Sequence, residues 1–339
     1  MRLSAQVATL NLRTPFHIAH GVSEQRQNVI VHLDDGLGEA AVVPYYGDTP
    51  RGILEYLDRV SPELQGDPLF VADILSSLPV GPLAAIAAID IALHDLVAKR
   101  LGHPLYRLLG LNPARIPDTS LTLAIDAPEV MKARAEESGL PILKIKLGKD
   151  DDVARVRAIR EGTSARLRLD VNGGWTCGAA MDRLPQLSEF GVELVEQPLP
   201  VGDVEGLRRL RQMGLDIPIF VDESVRTSRD IIAHAGLVDG VVIKLMKSGG
   251  IREALRAIAV ARSLDMRVMI SCMIESSLGV TAAAHLAPLG DYIDLDAPLL
   301  ITNDPFVGVQ YDGARLLLPD SPGLGVEPRV LESARKDGE

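Results

Sequence analysis

Cysteine is nearly missing from this 339-residue chain, and aromatic residues, positive charge and long apolar runs are scarce. Cys177 and Cys272 cannot build a disulfide framework and neither sits in a Cys-x-x-Cys metal spacing, so a reducing cytosol is the expected compartment. Aromatics are 4% of a chain that is 47% hydrophobic, which leaves Ala, Leu, Val and Ile to build the core and suits helices packed on parallel strands. A net charge of −11 opposes nonspecific association with nucleic acid or an anionic membrane, and neither is expected as a partner. The most apolar stretch, Pro82 to Leu93, is interrupted by Asp90 and too short to span a bilayer, so a buried helix is expected there. Met1-Arg2-Leu3-Ser4-Ala5 leads into an alternating run, without the apolar core of a secretory signal.

What is present divides into two patterns. Residues 1–45 read as strands at Leu3 to Leu12, Asn28 to Leu33 and Leu37 to Val43, paired antiparallel through a turn at Asp34-Asp35-Gly36, with a mobile polar loop at Phe16 to Glu24. Helical patterns follow from Pro50 to about Leu109, and Gly110 to Pro117 has the composition of a linker. From Thr119 on, short strand-like runs near Leu121, Leu143, Leu167, Val192, Ile219, Val241, Val268 and Ile293 are separated by amphipathic stretches. Most end in a charged or polar residue, as the C-terminal rim of a barrel requires; an open sheet would gather its ligands at one switch point. No glycine-rich phosphate loop follows the first strand, and Ser248-Gly249-Gly250 is weak evidence for one. Beyond Pro298 the chain is expected to return to the first domain, with its last dozen residues frayed.

The chemistry centres on Leu143-Lys-Ile-Lys-Leu147. A strand places Lys144 and Lys146 on one face, a costly arrangement unless carboxylates or a required reaction lie opposite. Asp170, Glu196 and Asp222 recur 26 residues apart at the ends of apolar runs, about one βα repeat, and would stand on three neighbouring strand ends. Three carboxylates without His or Cys suit a hard cation, Mg²⁺ above others; the alternative is three ordinary helix caps or surface acids. Lys144 and the cation should lower the pKa of Lys146, while Lys244 stands four strands on; the alternative is a set of buried ion pairs. Two amines on opposite faces of a carbon beside a metal-held carboxylate can remove a proton from one face and return it to the other, through an enediolate whose charge the cation stabilises.

These motifs, with Ala88 to Gly110, Asp170-Val-Asn-Gly-Gly-Trp175, Glu196-Gln-Pro198, Asp222-Glu-Ser224 and Ile243-Lys-Leu-Met-Lys-Ser-Gly-Gly250, resemble the enolase superfamily in its muconate-lactonizing-enzyme-like branch, most closely the dipeptide epimerases. The resemblance implies a modified (β/α)7β TIM barrel at residues 113–299, an N-terminal α+β capping domain at 1–112 and a C-terminal segment, 300–339, that completes the cap. It implies one Mg²⁺ per subunit on Asp170, Glu196 and Asp222, paired catalysts Lys146 and Lys244 assisted by Lys144, Thr122 near the substrate, and Asn172 and Glu223 as further site residues. It also implies a homo-oligomer. Asp294-Leu-Asp296 matches the epimerases' Asp-x-Asp, which binds the α-ammonium of the N-terminal residue; read alone, it would be a solvated loop end. Two departures stand out. His20 aligns where Ala-Glu epimerases carry Arg, so a non-acidic second residue is expected, and Val242 occupies a position commonly Asn, which should alter the wall beside Lys244. A cycloisomerase or o-succinylbenzoate synthase would share the barrel, metal and lysines but has no ammonium to place on Asp294 and Asp296. A noncatalytic binding barrel would not need three lysines around a metal.

Overall fold

The computed structural model describes residues 1–19 and 21–330; His20 and residues 331–339, most of the dozen expected to fray, lie outside the described residues, while Pro328 is paired in a short strand. Strands β1 (Leu3–Ile18), β2 (Gly21–Leu33) and β3 (Gly36–Ala40) form an antiparallel sheet. The expected loop at Phe16 to Glu24 is instead the end of a long hairpin. Phe16, His17 and Ile18 pair with Ser23, Val22 and Gly21 after a register shift between Asn11 and Phe16. Pro15, which has no N–H to give a ladder, lies inside that shift, and pairing resumes once it is passed.

Helices α1 (Pro50–Val60), α2 (Val71–Ser77), α3 (Leu83–Arg100) and α4 (Leu105–Leu108) complete this part. Thr49 caps α1 by accepting from the Gly52 N–H at 3.0 Å, and Pro50 occupies the first turn, where a missing donor is harmless. Val29, Val31 and Leu33 pack on α1 to α3, while Ile30 belongs to the barrel's core. Helix α3 lies directly on β3: a Cβ at Gly36 or Gly38 would come within 2.2 Å of the Ala92 carbonyl oxygen or 2.0 Å of that of Ala88. Glycine is required at both positions because the backbones touch.

The remaining strands are β4 (Leu121–Leu123), β5 (Ile142–Lys146), β6 (Arg166–Asp170), β7 (Val192–Glu196), β8 (Ile219–Val221), β9 (Gly240–Lys244), β10 (Arg267–Ser271) and β11 (Tyr292–Asp294). They pair in parallel in chain order. A parallel bridge from Thr119 to Ile293, and the Leu295 N–H donating to Thr119 Oγ1 at 2.9 Å, bring the two ends of the sheet together. The result is a nearly closed barrel and not an open sheet. Its helices are α5 (Pro128–Ser138), α6 (Asp152–Gly162), α7 (Cys177–Ser188), α8 (Val204–Gln212), α9 (Ser228–Ile232), α10 (Leu245–Ser248), α11 (Ile251–Ser263), α12 (Ser277–Ala284) and α13 (Ala297–Leu300). Helix α11 shows why they pack outside: Ile251, Ala254, Ala257, Ile258 and Ala261 recur at helical spacing and are buried.

Inside the barrel, Leu194, Phe220, Val242 and Met269 form an apolar plug. Val242 therefore does not line the cavity beside Lys244, as its position in the sequence suggested; it lies two residues below on the same strand face and fills that plug. After the barrel come β12 (Phe306–Val307), β13 (Gln310–Asp312), β14 (Arg315–Leu317) and β15 (Glu327–Pro328). This segment touches the cap at several points. The Thr302 N–H donates to Asn11 O at 2.9 Å, and the Leu324 N–H donates to Asp95 Oδ1, on α3, at 2.7 Å. Cap and barrel also meet at Glu39, which accepts from Asn28 Nδ2 at 2.8 Å, Ser276 Oγ at 2.6 Å and Gly279 N at 3.0 Å. Among the described residues no helix is long and apolar enough to cross a membrane.

Candidate active site

Register brings the charged residues together. Lys146 stands beside Asp170, Asp170 beside Glu196, and Ser271 between Lys244 and Asp294, while Asp222 follows the last residue of β8. Because interior side chains alternate with helix-facing ones, Leu143, Ile145 and Leu147 join the outer core as Lys144 and Lys146 turn inward. A cavity of about 230 Å³ opens above, lined by Lys144, Lys146, Asp222, Lys244, Asp294 and Asp296 among others. Thr122, Asn172 and Glu223 also line it, whereas Asp170 and Glu196 lie beneath its surface.

The lysines divide the carboxylates between them. Lys144 Nζ is 3.0 Å from Asp170 Oδ2, 2.8 Å from Glu196 Oε2 and 2.7 Å from Asp294 Oδ2. Lys146 Nζ donates to Asp170 Oδ2 at 2.6 Å, and Lys244 Nζ to Asp222 Oδ2 at 2.6 Å. Burial works against charge at Lys144 and Lys244, but their carboxylate neighbours outweigh it, Asp170 foremost for Lys144 and Asp222 for Lys244, and hold both above the ordinary lysine value. Burial would likewise raise Asp170 and Asp222, yet Lys144 and Lys146 pull the first below the usual carboxylate range and Lys244 and Lys247 the second.

Glu196 is the exception. Burial, reinforced by Asp170, pushes it up to about 8, and neither of its oxygens has a hydrogen-bond partner. Glu223 is raised by burial and then by Asp222; its Oε1 accepts from Asn172 Nδ2 at 3.0 Å while Oε2 has no partner. Among the described residues, no group of three or more His, Cys, Asp or Glu side chains stands preset around a common point. An all-oxygen donor set in which Glu196 has an ion-pair contact to Lys144 but no hydrogen bond fits a hard divalent cation held by Asp170, Glu196 and Asp222.

Asp294 and Asp296 are not equivalent. Asp294 is fully engaged: besides Lys144, its carboxylate accepts from Ser120 Oγ at 2.9 Å and Ser271 Oγ at 3.0 Å, and Lys144 helps hold its pKa down against burial. Asp296 accepts from the Thr122 N–H at 2.6 Å, and burial with the Asp294 charge pushes it up to about 7. An added cation would therefore find its better partner in Asp296, with Thr122 fixing its orientation.

Lys247 went unrecognised in the sequence, although it stands three residues after Lys244. It is buried on α10, with Nζ 2.5 Å from Asp222 Oδ1 and 2.9 Å from Val242 O. It pins one oxygen of Asp222 and leaves the other toward the cavity side. The turn from strand to helix after Lys244 carries it there, and strand alternation alone could not reveal that.

Known proteins show the same arrangement of chain. A family model described as mandelate racemase / muconate lactonizing enzyme, N-terminal domain, matches residues 3–110, and one described as enolase C-terminal domain-like matches residues 126–333. The L-Ala-D/L-Glu epimerase of Bacteroides thetaiotaomicron is 40% identical over 94% of this chain and 85% of its own. The hydrophobic dipeptide epimerase of Roseobacter litoralis is 38% identical over 96% of this chain and 98% of its own. Among solved structures, the dipeptide epimerase of Cytophaga hutchinsonii, complexed with Mg and the dipeptide D-Ala-L-Val, superposes with a TM-score of 0.91 at 32% identity, covering 96% of this chain and 95% of that one. With both halves matched and the barrel's charged rim in register, this chain belongs to the mandelate racemase / muconate lactonizing enzyme family of the enolase superfamily.

Proposed function

We propose that this protein is a Mg²⁺-dependent dipeptide epimerase that inverts the α-carbon beside the C-terminal carboxylate by two-base proton transfer between Lys146 and Lys244. One observation carries the reading: these two lysines enter one cavity from strands four apart in the barrel, β5 and β9, above a carboxylate floor and beside Asp294 and Asp296. When bound by Asp170, Glu196 and Asp222, Mg²⁺ would hold the substrate carboxylate and stabilise the negative charge that spreads onto it as the α-proton leaves. Asp296, steadied by Thr122 and backed by Asp294, receives the substrate's free ammonium. The substrate then spans the barrel from β6–β8 to β11, with its α-carbon between the lysines. One lysine takes the proton as an amine, and the other, as an ammonium, delivers one to the opposite face. Lys144, which touches both Asp170 and Asp294, offsets the negative charge of the floor.

The second residue's side chain lies under the hairpin end, where Phe16, Ile18 and Val22 line the cavity. That apolar wall supports a non-acidic second residue. The same reading places the enzyme in the cytoplasm, in keeping with two free cysteines, and as a homo-oligomer with a cap of residues 1–112 completed by 300–339 over a barrel of 113–299. The test is incubation of the Mg²⁺-loaded enzyme with a dipeptide panel in D₂O, read by mass spectrometry and chiral analysis. Deuterium uptake at the second residue's α-carbon with inversion is expected. Proton exchange on muconate-type substrates with none on dipeptides would overturn the assignment.

A further inference from the structure

One cation in the cavity has no place in the chemistry above. Arg26 lies on β2, and its direction follows from its neighbour on the same strand face. Asn28 Nδ2 donates to Ile274 O at 2.9 Å, which turns that face toward the loop after β10, and Arg26 is two residues along. It lines the same cavity as Met273, Ile274, Leu300, Asp294 and Asp296. It is only partly exposed, yet among the described residues its guanidinium makes no hydrogen bond and no ion pair. Burial lowers its pKa, and no carboxylate offsets that. A guanidinium drawn partly out of water without a partner is unfavourable and gains when a ligand brings an anion to it.

Position decides which part of the ligand meets it. The hairpin end rests on the opposite side of the barrel mouth: the Ile125 N–H, beyond β4, donates to His17 O at 3.0 Å, and Lys149 Nζ, beyond β5, donates to Ala19 O at 3.2 Å. Arg26, by contrast, stands over the loop that follows β10 and shares the cavity with Asp294, at the end of β11, and Asp296 just beyond it. A dipeptide with its carboxylate toward β6–β8 and its ammonium at β11 presents the side chain of its first residue to this side.

We propose that Arg26 is a specificity-determining residue that receives the side-chain carboxylate of an N-terminal aspartate or glutamate, so that preferred substrates carry an acidic residue first and a non-acidic residue second. This rests on the epimerase reading above and adds the substrate class.

The experiment reads a ratio within each protein: kcat/KM for L-Glu-L-Leu over that for the near-isosteric L-Gln-L-Leu, with L-Ala-L-Leu as a third substrate. Wild-type enzyme should give a ratio of about ten to a hundred, the scale of one charge-assisted ion pair. Arg26→Met should bring it to about one, Arg26→Glu below one, and Arg26→Lys should keep part of it because the charge remains while the planar fork is lost. A wild-type ratio near one with L-Ala-L-Leu turned over, or a high ratio that survives in Arg26→Met, overturns the role of Arg26 and leaves the epimerase standing. No turnover of any of the three, nor of a wider dipeptide panel, overturns the epimerase reading and this inference with it.

Discussion

The barrel rim and the hairpin above it are built on opposite terms. On the rim the lysines and the carboxylates crowd one another: Lys144 alone touches three carboxylates, and Asp222 is held by both Lys244 and Lys247. In the hairpin, Arg26 has no hydrogen-bond or ion-pair partner among the described residues, and Phe16, Ile18 and Val22 add apolar walls. The rim is held by parallel strand pairing, in which shifting any strand by one residue would turn its charges into the outer core. The hairpin end is a two-stranded ribbon that takes no part in that pairing. This division teaches where to look for each property: chemistry in the rim, preference among substrates in the cap.

The contrast breaks most sharply if a rim carboxylate can be lost without consequence. Asp222→Asn or Glu196→Gln is expected to lower kcat/KM about a thousandfold or more, because each exchanges an anionic ligand for a neutral one. Excess Mg²⁺ should recover part of the loss. Full turnover by metal-stripped enzyme, verified by elemental analysis, would remove the metal from the reading.

The lysines come next. Lys146→Ala and Lys244→Ala should each stop epimerisation, by about a hundredfold to ten-thousandfold, while the surviving lysine still exchanges the α-proton of one epimer with D₂O. NMR of L,L and L,D substrates in parallel would show the selectivity. Equal exchange of both epimers in either variant would mean that the two lysines do not serve opposite faces.

A smaller effect is expected from the cap. His20→Arg should improve kcat/KM for Ala-Glu relative to Ala-Leu by roughly tenfold to a hundredfold, the value of one added ion pair. Competition assays with both substrates present measure the ratio directly. If wild-type enzyme already prefers Ala-Glu to Ala-Leu, the apolar hairpin wall does not set the second residue.

The smallest effect belongs to the seam between the two regions. Glu275 is buried beside Glu39, and burial, then the Glu39 charge, pushes it up to about 8 from an ordinary 4.5. The folded protein then keeps a proton that the unfolded chain releases once pH passes about 4.5. Its contribution to stability is therefore greatest below about pH 4.5 and declines as pH rises toward about 8. Glu275→Gln should flatten that decline, seen as a smaller fall in Tm of the metal-free protein across this window. An identical Tm profile in wild type and variant would show that Glu275 is not the proton holder.

Much of the rim was legible because period-two alternation and a 26-residue spacing are local facts. Lys144, Lys146, Asp170, Glu196, Asp222 and Lys244 follow from them, and the eight strands were placed nearly where they lie. The end of the hairpin was not legible: its polar composition reads as a loop, and only pairing across the register shift shows that Phe16 to Ile18 are strand. Val242 was misplaced because alternation gives the face of a strand but not the depth at which a residue stands inside the barrel.

By itself the sequence determined the order of strands and helices, the face each rim residue takes and the charge types that must meet, since these depend on neighbours along the chain. Tertiary structure alone decided that Lys247 reaches Asp222, that Asp294 is consumed by Lys144 while Asp296 is left for a ligand, and that Arg26 stands over the cavity unpaired among the described residues. Each of those depends on distances between segments far apart in the chain, set by barrel closure and by how the cap lies on it.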